Sequence, residues 1–291
     1  MNYDVIIPLT KKNLDTIKYT ISYIKKNLKH RNIILIGSAS IEQECSMKDC
    51  KFLDENKVFE NVNYSVIEKL IISKNMYAKR RTGWYFQQFI KMSYSMVCED
   101  DYYIVWDADT IPLRSINMFD ENSVPYFDVK EEYHKPYFTV LNKLFDGEIK
   151  RYDVQKSFIS EHMLINVQYM KNLIADIERN SKLEGHYYFE KIINSIYPFD
   201  LLKSGFSEFE TYGNYVLHTY EDAYRIRHLK SLRNGSKYLG TCPAPEKLEW
   251  AAKSYDIISF EKYIDYEGMV SEDIMSSQSL EDFVENDMRR S

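Results

Sequence analysis

The sequence predicts an α/β fold built on a mixed, mainly parallel sheet that is flanked by helices. Continuous apolar runs at residues 5–7, 33–36 and 102–106 predict three buried strands. Apolar residues recur at helical spacing over residues 14–28, between the first two runs. A strand, a helix and a strand in succession form a βαβ unit, and uninterrupted apolar strands are typical of parallel sheets covered on both faces.

The predicted elements follow in order along the chain. The first strand stops at Pro8 and the second ends at Gly37, because both residue types interrupt a strand. Short β-branched or aromatic runs at 58–59 and 64–67 indicate two further strands. The later predictions are a helix at 83–97, loops and edge strands at 115–155, a strand passing into a helix at 158–167, a helix at 207–217 and two short amphipathic stretches beyond 250.

Composition and charge exclude several classes of protein. Hydrophobic residues make up 44% and charged residues 28% of the 291 residues, which is the balance of a globular protein. The net charge of −6 argues against nucleic acid as the main partner, and no apolar run approaches the ~18 residues of a membrane span. Residues 1–4 lack the blocks of a signal peptide, so we expect a cytoplasmic protein. The four cysteines lack metal-binding spacing, which predicts reduced thiols.

The segment with the clearest chemistry is the end of the third strand, where Asp107 and Asp109 follow an apolar run. Ligands of open α/β sheets bind beyond the carboxyl ends of the strands. Two carboxylates separated only by Ala108 can share one divalent cation, whose task is to neutralise a diphosphate. An Asp-rich turn that merely ends a strand has the same spacing. The position directly after a five-residue apolar strand favours the metal site, with Asp109 as the more direct ligand.

Four blocks of sequence resemble known glycosyltransferases. Residues 5–10 (VIIPLT) are similar to the first strand and nucleotide-contacting turn of the GT-A class, whose signature is a DxD motif closing a central strand. Residues 81–91 (RTGWYFQQFIK) look like a helix of bacterial polysaccharide transferases. Residues 157–163 (SFISEHM) and 206–215 (FSEFETYGNY) resemble blocks of an uncharacterised bacterial family of the DUF6492 type. The resemblance covers roughly residues 1–220.

This resemblance implies a Rossmann-like GT-A fold and a metal-dependent transfer of a sugar from a nucleotide-sugar donor to a glycan or lipid-linked acceptor. It implies Mn²⁺ or Mg²⁺ as cofactor, a role in capsule or lipopolysaccharide synthesis, and a protein without a membrane span that associates at most peripherally with the inner membrane. We expect a glycosyltransferase domain at 1–250, with a nucleotide-binding half (1–110) and an acceptor half (111–250). A C-terminal helical extension (251–291) follows, and we expect it to be dispensable for donor binding.

Several side chains are candidate ligands of the donor. Pro8 and Thr10 belong to the turn after the first strand, and Asp107 would share the cation or bond the donor ribose. Lys91 would meet the diphosphate as a point charge, and Arg81 would do so as a planar fork. The alternative for both cations is a solvated position on a helix surface.

The segment Ser207-x-x-Glu210 has the pattern of a helix capping box. Ser207 is then the N-cap, and Glu210 folds back onto its backbone N–H, which leaves Glu208 as the freer carboxylate. A helix N-terminus favours the ionised form of Glu208, as a general base for the acceptor hydroxyl requires. Glu210 is the alternative base and a candidate acceptor-binding residue.

Two histidines complete the candidate site. His218 follows the same helix, and the GT-A resemblance implies that a histidine in this region completes the metal site, where imidazole suits Mn²⁺. A structural histidine near a helix C-terminus would give the same sequence. His162 is a candidate acceptor-binding residue in the block 157–163.

Two other functions compete with sugar transfer. A sugar-1-phosphate nucleotidyltransferase also uses carboxylate-bound Mg²⁺, but it needs a glycine-rich loop after the first strand, and residues 8–12 contain no glycine. A non-catalytic carbohydrate-binding or assembly protein is the second alternative. The intact pair Asp107 and Asp109 argues against a decayed site.

Overall fold

The structure is a computed structural model that describes residues 3–260 and 268–290. These residues contain ten strands and eleven α-helices. The strands are β1 (Asp4–Pro8), β2 (Ile33–Gly37), β3 (Cys50–Asp54), β4 (Tyr102–Trp106), β5 (Thr110–Pro112), β6 (Tyr126–Asp128), β7 (His162–Asn166), β8 (Arg225–Arg227), β9 (Ser231–Leu232) and β10 (Ile257–Ser259). The helices are α1 (Leu14–Asn27), α2 (Tyr64–Lys74), α3 (Thr82–Ser93), α4 (Lys135–Leu144), α5 (Val167–Arg179), α6 (Tyr188–Ser195), α7 (Glu208–Thr219), α8 (Gly235–Leu239), α9 (Pro245–Ala251), α10 (Glu272–Ser277) and α11 (Leu280–Arg290).

The central sheet has five strands in the order β3-β2-β1-β4-β7. The first four are parallel to one another, and β7 pairs antiparallel with β4, with Trp106 opposite His162. The predicted mixed, mainly parallel sheet flanked by helices is therefore confirmed. Strand β1 lies between β2 and β4, so the order of the strands along the chain reverses beside it.

Each face of the central sheet carries its own apolar layer. Successive side chains of a strand point to opposite faces, so Val105 of β4 packs in the layer that includes Phe89 of α3. Trp106 faces the other way, into the layer with Ile17 of α1. The same alternation directs the side chain of Asp107, just beyond the strand, toward α3.

Three predictions between the strands are wrong. Residues 58–59 belong to none of the strands of the described chain, and Phe59 pairs with Val62 in an isolated bridge. Residues 64–67 begin helix α2 and not a strand, because the Asn63 side chain caps the helix by accepting the backbone N–H of Val66 at 3.0 Å. The stretch 115–155, in which no helix is predicted, contains α4. Pro136 lies in the first turn of α4, where a missing N–H costs no helical hydrogen bond.

Helix α7 packs directly against Phe158 at Gly213, where the helix has no side chain. A Cβ atom at Gly213 would lie 2.4 Å from the Phe158 ring, so only glycine permits this approach of helix and loop. The N-terminal turn of α7, which carries Glu208, is thereby fixed against the rest of the fold.

The C-terminal region contains helices as predicted, α10 and α11, and in addition a strand that the sequence does not predict. Strand β10 is the middle strand of a three-stranded sheet, antiparallel to β5 and parallel to β9. Helices α9 and α11 bury Trp250, Leu280 and Val284 in a third apolar cluster. Residues 1–2, 261–267 and 291 of the predicted domain and extension lie outside the described residues. No helix in the described part of the chain is long and apolar enough to cross a membrane.

Candidate active site

A cleft of about 330 Å³ opens at the carboxyl ends of β1 and β4. These two strands flank the position at which the strand order reverses, and the crevice at such a switch point is where open α/β sheets bind ligands. Strand β1 contributes the turn after it, β4 contributes the Asp-rich turn, and α3 and α7 form the walls. The lining residues are Pro8, Thr10, Asn13, Trp84, Gln87, Gln88, Lys91, Asp107, Ala108, Asp109, Tyr137, Ile159, Ser160, Ser207, Glu208, Phe209 and Arg233.

The turn that carries Asp107 and Asp109 is held by three different parts of the fold. The backbone N–H of Asp107 donates to the carbonyl of Glu161, next to β7, at 2.9 Å. Thr20 of α1 donates its hydroxyl to the carbonyl of Ala108 at 2.9 Å. The N–H of Phe260, just after β10, donates to the carbonyl of Asp109 at 2.8 Å. These anchors hold both aspartates at fixed positions before any ligand binds.

Lys91 is the central charge of the cleft wall. Its ammonium lies 3.0 Å from Oδ1 of Asp107 and 3.1 Å from Oε1 of Glu208, and it also lies over the Phe209 ring. Burial alone would lower the pKa of Lys91, but the two carboxylates hold that pKa above its usual value. Lys91 is therefore charged and almost fully buried, and the alternative of a solvated helix-surface cation is wrong. We call Lys91, Asp107 and Glu208 the cleft network.

The two carboxylates of the cleft network differ in exposure. The Asp107 side chain is 32% exposed to the cleft, whereas that of Glu208 is 3% exposed. Burial raises the pKa of Glu208, and its ion pair with Lys91 opposes that rise. Glu208 lines the cleft as expected, but it is not the freer carboxylate of its helix turn, because Lys91 binds it.

Glu210 has a different role from the one that the capping pattern predicts. Ser207 does cap α7, since its hydroxyl accepts the N–H of Glu210 at 3.2 Å. The Glu210 carboxylate points away from the cap and accepts the N–H of Phe158 at 2.9 Å and the amide of Asn214 at 2.9 Å. Burial raises the pKa of Glu210 to about 7. Glu210 does not line the cleft, so the structure does not place it for acceptor binding.

Both candidate histidines lie away from the cleft. His162 is buried, stacks on Trp106 and bonds Asp128 through Nε2 at 2.8 Å, while Arg227 forms an ion pair with the same aspartate at 2.7 Å. We call Asp128, His162 and Arg227 the inner network, and its burial contradicts acceptor binding by His162. His218 is exposed on the last turn of α7, about 15 Å along the helix axis from Glu208, so it cannot complete a metal site with the aspartates.

Arg81 also lies outside the cleft lining. Its guanidinium donates to the carbonyl of Lys203 at 2.8 Å and to the hydroxyl of Ser204 at 3.2 Å. It stacks over the ring of Trp84, which does line the cleft. Arg81 is therefore placed to brace the cleft wall and not to contact a diphosphate directly.

Arg233 is a cleft residue that the sequence analysis missed. It donates to Glu161 at 2.9 Å and to Glu132 at 2.8 Å, and Lys130 lies 3.4 Å from the same Glu161 carboxylate. Burial alone would raise the pKa of Glu161, but Lys130 and Arg233 hold it below its usual value. Arg233 follows the two-residue strand β9, and such a short element gives no periodic signal that could have marked it.

The residues of the cleft fit a divalent cation that receives only two of its ligands from the protein. Asp107 and Asp109 line the same cleft, and Mg²⁺ is commonly bound through one or two carboxylates together with substrate phosphates. Within residues 3–260 and 268–290, no group of three or more His, Cys, Asp or Glu side chains is placed to hold a metal ion. The two aspartates therefore suit a cation that binds together with a diphosphate, rather than one held by the protein alone.

The fold and cleft define an α/β protein that has a site lined by carboxylates where the strand order reverses. Comparisons with known proteins add a family and two similar structures. The family described as "Family of unknown function (DUF6492)" matches residues 20–139, less than half of the chain. The resemblance to that family is thus confirmed over a segment that includes Lys91, Asp107 and Asp109, but not the blocks at 157–163 and 206–215. No curated protein matches the chain.

Two solved structures align with most of the chain at low identity. The apo structure of the WbbM bifunctional glycosyltransferase is 13% identical with a TM-score of 0.44, and the alignment covers 91% of this chain and 46% of that one. The chain therefore spans about half the length of WbbM. The apo form of mouse xyloside xylosyltransferase 1 is 11% identical with a TM-score of 0.44, and the alignment covers 90% of this chain and 98% of that one.

Proposed function

We propose that this protein is a glycosyltransferase of the GT-A type, which transfers a sugar from a nucleotide-sugar donor to a glycan or lipid-linked acceptor with the help of Mn²⁺ or Mg²⁺. One observation carries the proposal. Asp107 and Asp109 lie at the carboxyl end of β4 and line the same cleft as Pro8 and Thr10 from the end of β1. Surface-polysaccharide synthesis and a cytoplasmic location belong to the same proposal.

The proposed donor site uses the two strand ends. Asp107 and Asp109 hold the cation, which when bound supplies positive charge to the diphosphate as the glycosidic bond breaks. Lys91 orients Asp107 by the 3.0 Å ion pair and adds a fixed positive charge behind it. Thr10 and Pro8 border the position of the nucleoside, in the half of the domain before residue 110.

The proposed acceptor side is formed by residues from the second half of the domain. Glu208 and Arg233 enter the cleft from the parts of the chain after residue 111, beside the aspartates. We assign Glu208 as the base that accepts the proton of the attacking hydroxyl, after the acceptor has entered and its hydrogen bonds have tightened. Arg233, fixed by Glu161, is placed to bond acceptor oxygens.

A screen for donor hydrolysis tests this function without knowledge of the acceptor. The wild-type chain is incubated with individual nucleotide sugars and Mn²⁺, and release of the nucleoside diphosphate is measured. We expect slow hydrolysis of one donor class, and a decrease of about 10²-fold in Asp109→Asn, which keeps the shape of the side chain but removes a full charge from the cation's ligands. Asp101→Asn is the matched control, because Asp101 is an exposed aspartate at the opposite end of β4.

Thermal unfolding gives a second measurement that does not require turnover. Mn²⁺ together with UDP, GDP or CDP should raise the melting temperature of the wild type, because a ligand that binds only the native state stabilises it. Asp109→Asn should lose that increase and Asp101→Asn should keep it. Full hydrolytic activity in excess EDTA would contradict the metal site. Incorporation of a nucleotide onto a sugar phosphate, or binding without any turnover, would favour the two alternative functions.

A further inference from the structure

Four large apolar side chains are exposed together on one surface. Met76, Tyr77, Tyr197 and Phe199 have exposed fractions between 53% and 77%, and we call them the aromatic patch. Their two segments are joined directly, because the Asn75 side chain donates to the carbonyl of Pro198 at 2.7 Å. Concentrated exposed apolar surface of this kind marks an interaction site more often than single exposed apolar residues do.

The backbone under the aromatic patch is well supported. Ala78 is fully buried directly after Tyr77, and the side chain of Asn75 accepts the N–H of Tyr77 at 3.1 Å. On the other segment, the N–H groups of Asp200 and Leu201 both donate to the carbonyl of Tyr197. The fold therefore holds these apolar side chains outward, where burying them would require another surface.

Positive charge surrounds the aromatic patch although the whole chain has a net charge of −6. Residues 74–81 contain four cations and no acid, and residues 197–203 contain Lys203 and Asp200. The ammonium of Lys143 lies 3.5 Å from the centre of the Tyr197 ring, and that of Lys203 lies 5.6 Å from the centre of the Phe199 ring. Three of the four cations have partners: Lys79 forms an ion pair with Glu68, Lys74 donates to the carbonyl of Asn194, and Arg81 donates to the carbonyl of Lys203. Arg80 is exposed.

From this combination we propose that the aromatic patch and its cations form a docking surface for an anionic lipid bilayer. Aromatic side chains with a polar tip or an adjacent cation are favoured at the boundary between headgroups and acyl chains. Lysine and arginine near an anionic surface each strengthen binding roughly fivefold. The opposite signs of the patch and the lipid headgroups identify the occupant, since a second copy that docked through the same surface would bring the basic segments of the two copies together.

The docking surface borders the cleft. Arg81 belongs to the basic segment and stacks over Trp84, whose ring centre lies 4.7 Å from the guanidinium carbon and which lines the cleft. A protein bound through the aromatic patch would therefore hold its cleft beside the headgroups. If the proposed sugar transfer is correct, this position gives direct access to a lipid-linked acceptor; the docking itself does not depend on that function.

Vesicle sedimentation of the full chain tests the proposal. We expect binding to vesicles of phosphatidylcholine with phosphatidylglycerol, much weaker binding to phosphatidylcholine alone, and a decrease when NaCl rises from about 50 to 500 mM. Tyr77→Ser/Phe199→Ser should weaken the binding at least ~10-fold through lost apolar contact. Arg80→Glu/Lys203→Glu should weaken it by a similar or larger factor and remove most of its salt dependence.

Two matched controls accompany these variants. Val97→Ser removes an exposed apolar side chain beyond the opposite end of α3, and Lys51→Glu/Lys253→Glu reverses two exposed cations outside the patch segments. Both should bind vesicles like the wild type. All variants are checked for an unchanged melting temperature and unchanged donor hydrolysis, so that a failure of docking remains separate from a failure of the proposed enzyme.

Three results would overturn the proposal. The first is a wild-type chain that does not bind the anionic vesicles. The second is a pair of patch variants that bind them as well as the controls do. The third is self-association of the wild type, measured by sedimentation velocity, that the substitution Tyr77→Ser/Phe199→Ser abolishes without any change in vesicle binding, because the patch would then serve a second copy of the chain.

Discussion

Two buried ion networks flank the end of β4, and they differ in whether one of their carboxylates is exposed to the cleft. The cleft network places one cation, Lys91, between two carboxylates, and Asp107 is partly exposed to the cleft. The inner network places one carboxylate, Asp128, between Arg227 and His162, and both Asp128 and His162 are almost completely buried. Trp106 separates the two networks, because its ring stacks on His162 on the face of the sheet opposite to Asp107.

This difference separates a binding arrangement from a structural one. The inner network satisfies its own carboxylate with hydrogen bonds from two cationic or polar partners, so it offers no charge to a ligand. The cleft network carries more negative than positive charge and exposes one of its carboxylates, so a cation or a polar substrate can still gain by binding there. Burial of charge alone therefore does not identify a functional site; the open face of the network does.

The largest expected effect is that of Lys91→Met. Removing the cation leaves Glu208 buried without its ion-pair partner, so we expect the free energy of unfolding in urea to fall by about 3 kcal/mol. The double variant Lys91→Met/Glu208→Gln should recover part of that loss, because the uncompensated charge is gone. A loss below about 1 kcal/mol in the single variant would show that the cleft network is no more constrained than a surface ion pair.

Glu208→Gln tests the catalytic role that we propose for the buried carboxylate of the cleft network. We expect sugar transfer to fall about 10²-fold, which corresponds to about 2.7 kcal/mol in the barrier, while donor affinity stays nearly unchanged. Transfer is measured at saturating acceptor, and donor affinity is measured by calorimetry. If donor affinity and transfer decrease together, Glu208 acts by holding Lys91 and Asp107 in place and is a positioning residue.

The inner network should contribute to stability in a pH-dependent way and should have no effect on donor hydrolysis. Burial alone would raise the pKa of Asp128, but hydrogen bonds from Arg227 and His162 lower it from 3.8 to about 2. A carboxyl whose pKa is lower in the folded than in the unfolded chain stabilises the fold when the pH is above its unfolded pKa. This contribution of about 2 kcal/mol is lost as pH falls from about 4 through 2. The difference in unfolding free energy between wild type and Asp128→Asn should therefore shrink over that range.

The activity of Asp128→Asn provides the other half of this test. Hydrolysis of the donor per folded molecule should equal that of the wild type, because no atom of the inner network lines the cleft. A parallel pH dependence of wild type and Asp128→Asn would mean that Asp128 is not held ionised by its partners.

The first half of the fold could be predicted from sequence because its signals are long and regular. The apolar runs of β1, β2 and β4 and the spacing of α1 specify parallel strands and a covering helix, and the position of Asp107 and Asp109 follows from where β4 ends. Strand β10 has three residues and gains its place by pairing with β5, more than 140 residues earlier in the chain. A pattern that short carries no periodicity of its own.

The site residues show the same limit. Lys91 and Glu208 were found by motif, but their mutual ion pair joins positions far apart in sequence, and no local pattern encodes it. His162 and His218 are predicted from the family resemblance, and a resemblance in sequence does not show whether a side chain faces a cleft, a core or the solvent. The N–H of Phe260 likewise donates to the carbonyl of Asp109, a contact between distant parts of the chain that no local pattern encodes.

The smallest expected effect is that of Glu210→Gln. Glu210 is a buried carboxylate whose hydrogen-bond donors are neutral, so it contrasts with the carboxylates of both ion networks, which have charged partners. Both oxygens of Glu210 accept N–H groups, so a glutamine amide must lose one of these bonds, which costs about 1 kcal/mol of unfolding free energy near pH 5. Burial raises the pKa of Glu210 to about 7, so the wild type should lose stability as pH rises from about 4.5 through 7, whereas the glutamine variant should not. The two stability curves, measured by urea unfolding, should therefore approach each other above pH 5 and cross before pH 8, because the loss expected from the raised pKa exceeds the initial gap of about 1 kcal/mol. A constant gap between them would mean that Glu210 is ionised throughout, and that neutral donors hold a buried charge here as well as Lys91 does in the cleft.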